Sequence, residues 1–74
     1  MDKTTIGVNA GIVWRTIDSS GRAWKYEELK KETKLSDRDL NAAIGWLARE
    51  NKIEFDSEMP DGEEVMHVEM NVYF

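Results

Sequence analysis

A chain of 74 residues with 41% hydrophobic side chains, three Trp and no Cys has the composition of one folded domain, residues 1–74. A single core of that size contributes only about 3 to 5 kcal/mol unless a staple or a second copy adds to it. The missing Cys excludes disulfides and thiolate metal sites as the staple and fits a reducing, cytoplasmic setting. No apolar run approaches the roughly 18 residues of a membrane span, and the basic-then-apolar order of a signal peptide is absent from the N-terminus. The formal charge of −5 is unevenly spread: residues 1–53 carry ten Lys and Arg against eight acids, net +2, whereas residues 54–74 carry seven acids and no Lys or Arg, net −7.

In chain order, Thr4 or Thr5 is placed to cap a first helix running to about Asp18, with Ile6, Ala10, Val13, Trp14 and Ile17 sharing one face. Gly7 and Gly11 lie inside it at a cost of about 1 kcal/mol each relative to Ala, which points to a backbone passing close by. Val8 and Ile12 lie well away from the main apolar face, either under the C-terminal strands or on a partner surface. Gly21 suits the left-handed position beyond the last turn. Ala23 and Trp24 suit a brief strand, and Tyr26 to Thr33 a short helix with Leu29 inward, two Glu in its first turn and Lys30 and Lys31 near its end, in agreement with the helix dipole.

Thr33 to Leu35 then lead into the best-defined helix, over residues 37–50. Ser36 caps it by accepting from the Asp39 amide, with the Asp39 carboxylate placed to reach back, and Asn51 tolerates the left-handed stop. Leu40, Ala43, Ile44 and Leu47 form the core face, and Arg38, Ala42, Gly45 and Arg49 the opposite one. Two helices joined by so short a turn, the second with an Arg-bearing outer face, make a helix-turn-helix pattern.

Beyond Asn51 the period falls to two. Ile53 and Phe55 alternate with charged residues, as Met66, Val68, Met70, Val72 and Phe74 do with His67, Glu69, Asn71 and Tyr73. Pro60 and Asp61-Gly62 between the runs predict a hairpin with a loop of several residues. Its second strand looks longer than the first, so an unpaired edge ending in Tyr73 and Phe74 is a candidate for pairing between chains.

Helix, short strand, helix-turn-helix and hairpin in that order describe an α+β winged helix, with three helices, a small antiparallel sheet and the C-terminal hairpin as the wing. Ala10-Gly11-Ile12-Val13-Trp14, Glu28-Leu29-Lys30-Lys31 and the run from Ala43 to Ile53, with its Gly45-Trp46-Leu47-Ala48-Arg49-Glu50 centre, resemble a small bacterial and archaeal family of winged helix-turn-helix proteins of unknown function. The resemblance spans most of residues 5–55 and fades through the wing. It implies a fold rather than an activity.

The residues argue against catalysis. There is no Cys nucleophile, and the single His67 has no recognisable partner and is one ligand where zinc needs three or four. The acidic loop of Asp56, Glu58, Asp61, Glu63 and Glu64 lacks the ligand order of an EF-hand. No cofactor or metal is expected. A winged helix invites duplex binding, with Arg38, Asn41, Ala42 and Arg49 in a groove and Lys30, Lys31 and Lys34 on phosphates. Against this stand Asp37 and Asp39 at the front of the reading helix and a wing without one cation. The favoured expectation is a non-enzymatic module acting through protein contacts or as a homodimer, with Val8, Ile12, Trp46, Tyr73 and Phe74 as candidate interface residues. A DNA-binding regulator is the alternative.

Overall fold

A computed structural model describes residues 2–57 and 60–68. Three helices, α1 (Lys3–Ser20), α2 (Tyr26–Thr33) and α3 (Asp37–Arg49), accompany three short strands, β1 (Trp24–Lys25), β2 (Ile53–Asp56) and β3 (Val65–Val68). The strands form an antiparallel sheet in the order β1-β3-β2. This is the winged helix expected from the sequence, with the β2–β3 hairpin as wing.

The cap of α1 corrects the expectation of Thr4 or Thr5. Asp2 holds that position in an extended conformation, and its Oδ1 accepts from the Thr5 amide at 2.8 Å. A carboxylate caps as well as a hydroxyl and also meets the positive end of the helix dipole, so the helix starts earlier. It also continues to Ser20, where Gly21 takes the left-handed conformation at φ 65°. α3 begins behind the Ser36 hydroxyl, which accepts from the Asp39 amide at 3.2 Å, and is followed by Asn51 at φ 58°.

The core lies where α1 crosses α3, closed by α2 and one face of the sheet. Val13, Leu29, Leu40 and Ala43 are fully buried, joined by Ala10, Ile17, Trp24, Ile44, Leu47, Ile53 and Met66. Trp14 is only half-buried and packs against this cluster from its side. No second backbone approaches the helical glycines: a Cβ at Gly7 or Gly45 would meet nothing within 4 Å, and at Gly11 it would meet the guanidinium of Arg15. The expected close crossing at Gly7 and Gly11 is therefore absent among the described residues.

Register sets the two faces of the sheet. Trp24, Met66 and Phe55 stand opposite one another across the three strands, as do Ile53 and Val68, so all five point toward the helices. Phe55 nevertheless remains 45% exposed, because it sits on an edge strand one step further toward the wing loop than Ile53. The other face holds Lys25, Val65 and Asp56. Val65 is buried there, outside the main core. β1 pairs with Val65 and Met66 of β3, on the side away from β2. Tyr73 and Phe74, and the alternation beyond Val68, lie outside the described residues.

Candidate interaction surface on the third helix

The short turn between α2 and α3 brings two helix ends together, and polar side chains close the junction. The Tyr26 hydroxyl donates to Asp37 Oδ1 at 2.6 Å and Lys30 Nζ donates to Asp37 Oδ2 at 3.0 Å. The hydrogen bonds from Tyr26 and then Lys30 hold the Asp37 carboxyl below its ordinary range. The same contact with Asp37 pushes the Tyr26 phenol up to about 12. The front of α3 thus carries an ionised Asp37 whose charge Lys30 balances.

The wing is held by a second cluster. Lys25 Nζ lies 2.7 Å from Asp61 Oδ2 and 3.1 Å from Glu63 Oε2. These hydrogen bonds, Asp61 first, raise the Lys25 ammonium, and the one from Lys25 lowers the Asp61 carboxyl. Asp61 also accepts from the Glu63 amide at 2.9 Å, which shapes the turn. Both acids are drawn to the face of the sheet that carries Val65, Lys25's cross-strand neighbour. Arg22 completes the α2 end of the molecule, 3.3 Å from Glu28 and 3.8 Å from the centre of the Trp24 ring.

The outer face of α3 differs from these paired regions. Arg38, Asn41, Gly45 and Arg49 are exposed and Ala42 half-buried, as the helical period requires. Trp46 is 42% exposed on one flank, beside Asp39 and Glu50. Among the described residues, Arg38, Asp39, Arg49 and Glu50 carry no ion pair. Lys31 is exposed on α2, and Lys34 occupies its left-handed C-cap at φ 60°. Val8, 58% exposed, and the half-buried Ile12 lie on the side of α1 turned away from α3, so the structure separates them from Trp46. His67 is half-buried with Nδ1 3.3 Å from the Val68 carbonyl oxygen. No group of three or more metal-ligating side chains occurs among the described residues, nor any helix long and apolar enough to cross a membrane.

Sequence reasoning located the outer face but missed the Tyr26, Lys30 and Asp37 junction. Asp37 lies 11 positions from Tyr26 and 7 from Lys30, and only the angle of the helix-turn-helix brings it to them. The acids flanking the reading helix were visible as types, but whether they were paired was not.

No curated protein matches the chain. Among solved structures it resembles the solution NMR structure of protein BT2368 from Bacteroides thetaiotaomicron, with 29% identity over 100% of this chain and 92% of that one and a TM-score of 0.79. A family model described as a winged helix-turn-helix domain (DUF2582) matches residues 1–67. That span runs from the cap of α1 to the penultimate described residue of β3 and takes in every helix and the wing, which makes the chain a member of the DUF2582 winged helix-turn-helix family.

Proposed function

We propose that this domain is a non-enzymatic binding module whose partner is protein, a second copy of itself included, rather than a reader of duplex DNA. The observation that carries this reading is Asp37. It stands at the N-terminus of α3, the place where a winged helix would bring its reading helix to a phosphate, and Tyr26 and Lys30 keep it ionised there. Affinity for a duplex depends heavily on neutralising phosphates, and here one basic side chain of α2 already neutralises an acid of α3. The wing adds repulsion, since residues 54–74 contain seven acids and no Lys or Arg. Lys25 compensates two of those acids, Asp61 and Glu63, from within the chain.

An exposed Trp beside two residues of minimal side chain has the character of a protein contact, because a large rigid ring needs a flat receiving surface. Titration of a labelled random-sequence duplex at low salt tests the choice. The expected result is weak, non-saturating binding that is insensitive to Arg38→Ala and Arg49→Ala. Micromolar binding that both substitutions weaken overturns the reading in favour of a DNA-binding regulator using α3.

A further inference from the structure

We propose that the Trp46 flank of α3 is a self-complementary surface on which a second copy of the chain docks, with the two α3 helices side by side and parallel about a two-fold axis. The inference rests on the protein-contact reading above and names the partner and the geometry.

On a helix turning about 100° per residue, the face between Arg38 and Glu50 is centred on Ala42 and Trp46. Arg38 and Arg49 lie along one margin of that face, and Asp39 and Glu50 along the other. The two arginines stand 11 residues apart, about 16 Å along the helix axis, and the two acids stand beside them at almost the same heights. A two-fold axis parallel to the helix sets each margin against the opposite margin of the second copy. Arg38 then meets Asp39 of the second copy, and Arg49 meets Glu50. Symmetry doubles both contacts. An antiparallel pair would instead set Arg38 against Arg49 and Asp39 against Glu50, so the charge pattern selects the parallel arrangement.

Two further observations converge on the same flank. All four charged side chains are without an ion partner among the described residues, whereas Arg22, Lys25 and Lys30 are each paired within the chain. Trp46 keeps 42% of its surface exposed, and in the parallel pair its ring falls on the small side chain of Ala42 of the second copy.

Charge exchange tests the proposal by sedimentation velocity at near-physiological salt. One variant carries Asp39→Lys with Glu50→Lys, making both margins basic; the other carries Arg38→Glu with Arg49→Glu, making both acidic. Circular dichroism establishes that each is folded. The wild-type chain is expected to dimerise with rising concentration, each variant alone to raise the dissociation constant by about tenfold or more, and the equimolar mixture to recover the dimer. Because each variant is expected to be monomeric alone, recovery in the mixture cannot come from a loss of folding. A dimer that both variants leave intact places the interface elsewhere and overturns this proposal while the protein-contact reading stands. A wild-type chain that remains monomeric at every concentration also overturns it. Duplex binding that Arg38→Ala and Arg49→Ala weaken is the separate result that defeats the underlying reading.

Discussion

Single side chains decide what the front of α3 can approach. Asp37, Tyr26 and Lys30 form one unit, and titration exposes it directly. The Tyr26 phenol is raised from 10.0 to about 12 by its bond to Asp37, so the folded chain keeps a proton that the unfolded chain releases. The stabilisation is complete below the ordinary tyrosine value and is lost as pH rises through about 12. For Asp37 the sign reverses: its carboxyl is lowered, so its contribution is present above 3.8 and lost as pH falls through the depressed value. In a Tyr73→Phe background, phenolate absorbance is expected to show Tyr26 titrating well above free tyrosine, and Asp37→Asn to bring it back down. No response to Asp37→Asn would mean that the junction does not form. Gly45 gives a second residue-scale prediction. Gly45→Ala meets open space, so it is expected to raise stability by up to about 1 kcal/mol in denaturant melts.

At the scale of elements, the helices were legible because their signals are local. Ser36, the Leu40, Ala43, Ile44 and Leu47 face, and Asn51 each lie within a turn or two of the helix they define, and the structure has them in those roles. The cap of α1 was misplaced by two or three residues because Asp2, Thr4 and Thr5 are all competent caps and only one can begin the helix. Strand period alone could not show where cover runs out. Ile53 and Phe55 share a face, but one is buried and the other is 45% exposed. Nor did it reveal that Val65 is buried on the opposite face beside Lys25. Ser36→Ala is expected to cost about 1 kcal/mol through loss of the cap. Leu40→Ala, at a fully buried site, is expected to cost about 2 to 5 kcal/mol, enough to leave so small a domain largely unfolded by circular dichroism. The wing should respond locally: Lys25→Ala releases Asp61 and Glu63, so hydrogen exchange is expected to quicken at Val65 with little change in the global melting midpoint. High salt should mimic it, since the pairs are exposed.

For the whole molecule, the distribution of charge matters more than its sum. Residues 1–53 carry all ten Lys and Arg with eight acids, and residues 54–74 carry seven acids alone. Folding pairs several of them across that divide or along it, Lys25 with Asp61 and Glu63, Lys30 with Asp37, and Arg22 with Glu28. What remains without an ion pair on α3 and its C-cap, among the described residues, is a matched set of two basic and two acidic side chains beside an exposed Trp. A polyanion would meet only half of that set favourably, and a second copy would meet all of it. Amide and indole chemical shifts of labelled protein separate the two directly. Dilution is expected to move Arg38, Ala42, Gly45, Arg49 and the Trp46 indole, while added duplex leaves them in place. Shifts confined to α3 on adding duplex, with none on dilution, would contradict a protein-facing role for this helix.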